Sequence, residues 1–476
     1  MAMRGMISGI GAMLGAVLAL APAAHAGGPS IVLGATEDAV RRPTLAAAKA
    51  QMDLIKLAGF RAVRITQVWA PGETTLAPDD QTELDNVTAA ARLDGIEVIA
   101  SVLNANAKTT PLSDEDQTDF ADFTASLVTL EPSIRHVIVG NEPNLNLYWL
   151  PQFDANGGDA AAAAYESLLA RTYDAVKAVA PQVEVIGGAV SPRGNDKPHG
   201  TRLTHSPTTF IPDLGAAYRA SGRTTPIMDA FAFHPYEDNS SIAPAKGLNP
   251  KSTSVAIADY GKLVALLGKA FDGTAQPGSQ LPIYYDEFGV QTQIPPGKAS
   301  LYTNAEQSTT KPVDEATQAE YYKQAIQLAF CSPTVKGLFI FHSVDESDLT
   351  RWQSGLYYTD GTPKASLVPT RLAIEQARRG VVARCPGMRL TPKARVEQRG
   401  ARLVLSCDID CRYVAQLWRL PGRLLETRRG RAIGGTPTTL ALAAPRVPGT
   451  FRLRISARAP INPGASSVVL LNLRRG

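Results

Sequence analysis

Two hydrophobic patterns alternate eight times along most of the chain. Apolar, β-branched runs have the composition of buried parallel strands, and they predict strands at 31–35, 62–67, 97–103, 136–141, 184–190, 228–234, 282–287 and 336–342. Between these runs, apolar residues recur every three or four positions, which is typical of amphipathic helices. These stretches predict helices at 44–58, 79–94, 114–130, 159–180, 208–221, 254–270, 314–330 and 364–378.

This alternation of strands and helices predicts an α/β fold with a parallel sheet covered by helices. Eight strand–helix units in about 350 residues fit a closed (β/α)8 barrel, the TIM barrel. The alternative is a doubly wound open sheet, which normally carries a glycine-rich turn after its first strand. No such turn follows residues 31–35, so the closed barrel is favoured.

The hydrophobic pattern changes to period two near the C-terminal end of the chain. Apolar and polar residues alternate in runs such as 402–406 and 451–456, and proline and glycine separate these runs at short intervals. This pattern predicts a small antiparallel β-sandwich. The expected division is a barrel at 27–384 followed by a β-sandwich domain at 385–476.

The first 26 residues have the features of a signal peptide. Arg4 gives a positively charged start, the stretch 10–20 is a short apolar core, and Ala24-His25-Ala26 is a small-x-small cleavage site. The apolar core is too short to span a membrane, and no later stretch is long enough. We therefore expect a secreted, extracellular protein without a membrane partner, whose mature chain starts near Gly27.

Charge is distributed unevenly between the two predicted domains. Residues 385–476 contain 17 Lys and Arg and 4 Asp and Glu, a net charge of +13, whereas residues 1–384 carry a net charge of −9. A basic domain of an exported protein could bind an anionic cell-wall polymer. The alternative is a packing domain whose exposed strand positions happen to carry arginine. Nucleic acid is not an expected partner, since the basic residues lack an aromatic-basic motif.

The four cysteines are Cys331, Cys385, Cys407 and Cys411. An even number in an exported chain predicts two disulfides, and four cysteines allow three connectivities. The favoured pairs are Cys407–Cys411 and Cys331–Cys385. The sequence has neither C-x-x-C nor H-E-x-x-H, so no metal site is expected.

Two glutamates stand where predicted strands end. Glu142 follows the run 136–141, and Glu287 ends the run 282–287. A β/α barrel places its chemistry at the C-terminal ends of its strands, and two facing carboxylates are what cleavage of a glycosidic bond requires. Each glutamate alone could instead be a solvated loop residue or a strand-end ion pair. Asp286 is a rival to Glu287, but period two is expected to turn it away from the barrel mouth.

The motifs around both glutamates resemble those of clan A, the retaining (β/α)8 glycoside hydrolases. Asn141-Glu142-Pro143 resembles the clan's acid/base motif on strand 4, and the run 140–149 resembles family 39. The segment 286–289 resembles the strand-7 ending that carries the clan's nucleophile, and it is equally similar to family 5. The resemblance implies that Glu142 is the acid/base, that Glu287 is the nucleophile and that Asn141 binds substrate.

Three further residues match supporting elements of the same clan. His234-Pro-Tyr236 resembles its strand-6 element, and Arg64 matches its strand-2 arginine. Tyr236 could donate a hydrogen bond to Glu287, and a cation such as Arg64 lowers the pKa of a neighbouring carboxylate. Each of the three could instead be a packed core residue or part of an ordinary ion pair.

Tryptophans near the strand ends are candidates for stacking on sugar rings. Trp69, Trp149 and Trp352 follow predicted strands 2, 4 and 8, although any of them could instead pack within a loop. Together these features predict a monomeric secreted glycosidase that acts on poly- or oligosaccharides by double displacement, without a cofactor. The alternative is a barrel protein that binds carbohydrate or cell wall but has lost turnover.

Overall fold

The computed structural model describes residues 27–248, 251–380, 392–397, 402–407, 411–432, 437–442, 448–459 and 462–475. The predicted signal peptide and Cys385 lie outside these residues, and so does the predicted Cys331–Cys385 bond. Within them, no helix is both long enough and apolar enough to cross a membrane.

Eight parallel strands close into a barrel, as the alternating pattern predicts. The strands are β1 (Val32–Thr36), β2 (Ala62–Trp69), β3 (Glu97–Asn104), β4 (His136–Val139), β5 (Glu184–Val190), β6 (Ala230–Phe233), β7 (Ile283–Phe288) and β8 (Val335–Phe341). Pairing of β1 with β8 in parallel register closes the sheet. The prediction of a (β/α)8 barrel is therefore confirmed.

Helices cover the outside of the barrel. They are α1 (Leu45–Leu57), α2 (Pro78–Asp94), α3 (Asp114–Leu130), α4 (Ala160–Val179), α5 (Pro207–Ala220), α6 (Tyr260–Phe271), α7 (Glu315–Cys331) and α8 (Leu367–Arg378). The side chains of Thr44, Ser113, Asp159 and Asp314 cap the N-termini of α1, α3, α4 and α7. Helix α6 starts later than predicted because a 3-10 turn, Ile257–Asp259, precedes it.

The barrel interior is filled by inward-facing side chains of uneven size. Tyr284 and Phe339 are the large ones, and Ile99, Ile138 and Ile186 pack with them. Glycines make room for the two rings. A Cβ at Gly34 would lie 2.5 Å from the Phe339 ring, and one at Gly337 would lie 2.7 Å from the Tyr284 ring. The interior is thus a packed core, and the chemistry must lie above it, at the mouth of the barrel.

The C-terminal region forms two antiparallel sheets, in agreement with the predicted all-β domain. The strands are β9 (Lys393–Glu397), β10 (Arg402–Ser406), β11 (Cys411–Arg419), β12 (Arg423–Ala432), β13 (Thr438–Ala441), β14 (Gly449–Ala459) and β15 (Asn462–Arg475). One sheet has the order β13-β10-β9 and the other β12-β11-β14-β15. The predicted Cys407–Cys411 disulfide is present, with a Cα–Cα distance of 6.4 Å.

Candidate active site

The C-terminal ends of the barrel strands open into a cavity of about 970 Å³. Glu142 and Glu287 both line it, and Tyr236, Phe341 and Trp352 form an aromatic part of its wall. The cavity is large enough to take one or more sugar rings, since ligand pockets are typically ~300–1,000 Å³.

The loop after β4 holds Glu142 in an unusual backbone conformation. Its φ is 41°, in the left-handed region that non-glycine residues rarely adopt. The Glu142 amide donates to the carbonyl of Ala189 at 2.8 Å, and the Glu142 carbonyl accepts from the amide of Leu145 at 2.9 Å. Such a conformation persists where the surrounding structure fixes it, and it is found frequently at functional sites. Here it directs a carboxyl group toward the cavity.

Three residues contact the carboxylate of Glu287. Arg64 Nη1 donates to Oε1 at 2.9 Å, and the Tyr236 hydroxyl donates to Oε2 at 3.1 Å. His234 Nδ1 lies 3.5 Å from Oε2. Burial raises the pKa of Glu287 above its usual value, although His234 and Arg64 act in the opposite direction. The sequence-based expectation that Arg64 sets a low pKa is therefore incomplete, because burial outweighs the cations.

His234 joins the two glutamates. Its Nδ1 lies 3.0 Å from Glu142 Oε1 and 3.5 Å from Glu287 Oε2. Because both oxygens contact one nitrogen, their separation cannot exceed the sum of these two distances, 6.5 Å. Burial acts to lower the pKa of His234, but Glu287 and Asp286 outweigh it and raise that pKa well above the usual value. The structure thus brings the two predicted carboxylates close enough together to contact the same bond of a ligand in the cavity.

Asp286 belongs to this network, contrary to the sequence-based expectation. It is fully buried, and its Oδ2 lies 3.3 Å from Arg64 Nε and 3.4 Å from His234 Nε2. Asp286 has the parity of Tyr284, which faces the barrel interior. The register of β7 shifts between Tyr285 and Phe288, so the next residue, Glu287, lines the cavity although Asp286 faces the barrel interior beneath it. The alternation of side-chain directions therefore does not hold at Asp286 and Glu287, because β7 is irregular there.

Arg64 is held by neighbouring strands. Its Nη2 donates to the Ser101 hydroxyl at 3.0 Å and to Asn141 Oδ1 at 3.2 Å. Asn141 therefore orients the arginine that contacts Glu287. Ser101 was not identified from the sequence, because a serine within an apolar strand carries no distinctive signal.

The predicted aromatic platforms fall into two groups. Trp352 lines the cavity, and its ring centroid lies 4.9 Å from that of Tyr236. Trp69 and Trp149 are both buried in the hydrophobic core, where they pack edge-on against Phe120 and Tyr165 respectively. Neither buried tryptophan lines the cavity, so neither is positioned to stack on a sugar ring bound there.

The position of Trp69 follows from strand periodicity. It lies five residues after Arg64 on β2, so it faces the helices when Arg64 faces the barrel. Its indole nitrogen donates to the backbone carbonyl of Glu73 at 2.8 Å. The alternation of side-chain directions along β2 is therefore enough to exclude Trp69 from the cavity.

Within the described ranges, no group of three or more His, Cys, Asp and Glu side chains is arranged to hold a metal ion. The two glutamates have cationic and hydroxyl partners, since His234 contacts both carboxylates and Arg64 and Tyr236 donate to Glu287. The arrangement can therefore provide a nucleophile and a proton donor from side chains alone.

Comparison with known proteins identifies the fold. No protein-family model matches the sequence, and a search of curated proteins finds no match. Among solved structures, a glucosidase from Croceicoccus marinus aligns at 12% identity with a TM-score of 0.50, covering 89% of this chain and 94% of the glucosidase. At this identity the similarity shows a shared fold.

Two further structures align with lower TM-scores. A monomeric β-xylosidase from Caulobacter crescentus CB15 aligns at 15% identity and a TM-score of 0.47, covering 88% of this chain and 95% of the xylosidase. A calcium-binding mutant of Bacteroides uniformis β-glucuronidase 2 aligns at 11% identity and a TM-score of 0.44, covering 94% of this chain. The chain spans about half the length of that glucuronidase, of which 45% is covered.

Proposed function

We propose that this protein is a retaining glycoside hydrolase that cleaves O-glycosidic bonds of poly- or oligosaccharides. The observation that carries the proposal is the contact of Glu142 and Glu287 with the same His234 nitrogen, at 3.0 and 3.5 Å, in a cavity open to a ligand. Retaining enzymes need carboxyl groups about 5–5.5 Å apart, whereas inverting enzymes need about 6.5–9.5 Å. The 6.5 Å upper limit on the separation of the two contacting oxygens favours retention.

The first step transfers the sugar to the protein. A carboxylate oxygen of Glu287 attacks the anomeric carbon and forms a glycosyl ester, while the bond to the leaving oxygen breaks. Glu142, in its protonated form, gives its proton to that leaving oxygen. The leaving alcohol then departs, and Glu142 remains ionised.

The second step releases the sugar and restores both carboxyl groups. Glu142 removes a proton from a water molecule as the water oxygen attacks the anomeric carbon. The ester bond breaks, Glu287 regains its negative charge and Glu142 is protonated again. Arg64 and Tyr236 each donate to one oxygen of Glu287, and these contacts orient the carboxylate for attack and stabilise it as the leaving group.

Hydrolysis of a glycan panel tests the proposal against a barrel that only binds carbohydrate. Glu287→Ala removes the nucleophile, so turnover should fall by a factor of ~10⁴ or more, as expected when a nucleophile is lost. Glu166→Gln is a control, because Glu166 is a buried glutamate that lies outside the cavity lining. If the parent protein binds glycans but hydrolyses none of them, the proposal is wrong and the alternative, a barrel that only binds carbohydrate, is supported.

We also propose that the basic C-terminal domain binds an anionic cell-wall polymer. Support comes from the outer face of the four-stranded sheet, where Arg412 of β11 is paired with Arg431 of β12 and with Arg458 of β14. All three are exposed, and directly paired residues lie on one face about 5 Å apart. Such a row attracts a chain of negative charges.

Binding to polygalacturonate and to dextran sulfate tests this partner. Replacing Arg412, Arg431 and Arg458 together with serine should abolish binding at low salt. Replacing three exposed arginines of the barrel region, Arg42, Arg92 and Arg135, gives the control, which should bind as the parent does. Equal loss in both variants would mean that the effect is one of net charge rather than of this face.

Export is proposed from the sequence of residues 1–26. Expression of the full chain in a secreting host, followed by mass spectrometry of the protein in the medium, should give an N-terminus near Gly27. Retention of residues 1–26 on a cytoplasmic product would contradict export.

A further inference from the structure

One acidic side chain of the cavity has no role in the proposed reaction. Glu237 lies three residues after His234 and lines the same cavity as Glu142 and Glu287. It is only 9% exposed, and neither of its carboxyl oxygens has a hydrogen-bond partner. A buried polar group without a partner destabilises the folded state. A ligand in the cavity could supply the missing hydrogen bonds.

Charges of both signs surround this carboxyl group. The Arg193 guanidinium donates to the backbone carbonyls of Tyr236 and Glu237, at 3.3 and 2.6 Å, and its Nε lies 3.6 Å from Asp238 Oδ1. Arg193 and Asp238 line the cavity as well. This part of the wall therefore combines carboxyl and guanidinium groups and has no single dominant charge.

The protonation of Glu237 adds to the argument. Burial, followed by the nearby charges of Asp259 and Asp238, raises the pKa of Glu237 to about 8. At neutral pH the group is mostly protonated, so it offers one O–H donor together with acceptor capacity. A sugar hydroxyl, which is itself both donor and acceptor, complements such a group.

Charged sugars fit this wall less well. Arg193 and Asp238 already face each other, with Nε and Oδ1 3.6 Å apart, and the mostly protonated Glu237 offers no full charge to a uronate carboxylate or to an amino-sugar ammonium group. Hydroxyl groups need no opposite charge, and they can both donate to and accept from the carboxyl group of Glu237. We propose that Glu237 forms the centre of a subsite that binds the hydroxyl groups of a neutral sugar residue. This inference rests on the proposed function, because it identifies the substrate class of the same cavity.

Binding in the absence of turnover tests the subsite. In the Glu287→Ala protein, calorimetry would measure the Kd values of cello-, xylo- and mannooligosaccharides, of oligogalacturonides and of chitosan oligosaccharides. At least one neutral series should bind more tightly than both charged series. Adding Glu237→Leu should weaken that binding by about tenfold, as expected for loss of one or two hydrogen bonds. Glu237→Gln keeps a donor and an acceptor, so its Kd should stay within about threefold of that of the Glu287→Ala protein.

Thermal unfolding separates a binding role from a structural one. Glu237→Leu removes an unpartnered buried carboxyl group and should leave Tm unchanged or higher. Glu166→Leu is the matched control, since Glu166 is 5% exposed, has one unpartnered carboxyl oxygen and does not line the cavity. It should leave every glycan Kd unchanged. A Tm loss in Glu237→Leu with unchanged Kd values would assign Glu237 a structural role and overturn the subsite.

The remaining outcomes are also decisive. Tighter binding of a uronate or amino-sugar series, or no binding of any neutral series, would overturn the inference. Hydrolysis by the parent protein is scored separately. Binding of neutral glycans through Glu237 without hydrolysis would keep the subsite and reject the proposed function. If the parent protein hydrolyses glycans and Glu237→Leu changes neither the hydrolysis rate nor the Kd values, the proposed function is kept and the subsite is rejected.

Discussion

The two ends of the barrel each hold a histidine between carboxylates, but the two sites are built differently. At the N-terminal end, where the strands begin, His136 contacts Glu184 at 2.7 Å and Glu97 at 2.8 Å. Glu184 also accepts from the Tyr284 hydroxyl at 2.7 Å and pairs with Lys336 at 2.8 Å. Each member of this basal cluster has a close partner of complementary character.

The polar groups at the cavity end have fewer hydrogen-bond partners. His234 Nε2, Arg64 Nε and both carboxyl oxygens of Asp286 are buried without a hydrogen-bond partner, although opposite charges lie 3.3–3.4 Å away. Unsatisfied buried groups reduce stability, and they persist at functional sites. The comparison indicates that the basal cluster stabilises the barrel, while the cavity end has the unsatisfied polar groups that are expected of a functional site.

The largest expected effect concerns Glu142, the proposed proton donor at the cavity end. Glu142→Gln should reduce the rate by about 10²–10⁴ on substrates with poor leaving groups, because the leaving oxygen then departs without a proton. An aryl glycoside with a good leaving group needs less protonation, so its first step should be far less affected. Stopped-flow and steady-state rates on both kinds of substrate measure the difference. Equal losses on both would contradict the acid role.

The second effect concerns the basal cluster. His136→Gln should lower the free energy of unfolding at pH 7 by about 3 kcal/mol, because it removes one partner of a mostly buried ion pair. Its kcat/KM should stay at the parent value. Denaturant titration and steady-state kinetics check both expectations. The control is His199→Gln, since His199 is exposed. A fall in kcat/KM without a loss of stability would erase the distinction between the two ends.

The pH dependence of stability sharpens the same contrast. Burial would lower the pKa of His136, but hydrogen bonds to Glu184 and Glu97 outweigh it and raise the pKa to about 9. Its stabilising effect is then complete below about pH 6.5, the value for unfolded chains, and is lost as pH rises through 9. The difference in unfolding free energy between parent and His136→Gln should shrink over this window. A constant difference would exclude linkage to this group.

The smallest effect concerns the acid limb of the activity profile. In the proposed mechanism Glu287 must be ionised to attack; burial is the largest cause of its raised pKa, and the charge of Glu142 raises it further. On an activated aryl glycoside, Glu142→Gln should therefore move the acid limb to lower pH, by up to about one unit. Glu166→Gln should not move it. A limb that moves upward would show that another group controls it.

The sequence predicts the two ends unequally well. Regular apolar periodicity defines the strands and helices, and a carboxylate at a strand end is a clear signal, as for Glu142 and Glu287. Asp286 was misplaced because its position depends on a register shift between neighbouring strands, which periodicity cannot show. Trp149 was misplaced because its burial depends on how the loop after β4 folds back against Tyr165 of α4.

The basal cluster was not predicted at all. His136, Glu97 and Glu184 each begin a strand, where a polar residue is ordinary and gives no sign of a partner. Only closure of the barrel brings them together with Lys336 of β8. Glu237 was missed for a similar reason, since its burial without partners becomes visible only in the folded structure.

The configuration of the first-formed product tests the central claim most directly. Time-resolved proton NMR of hydrolysis of a panel glycan records which anomer appears before mutarotation. Two displacements, by Glu287 and then by water, predict that the product first appears with the anomeric configuration of the substrate. First appearance of the opposite anomer would mean a single displacement and would contradict the assignment of Glu287 as nucleophile.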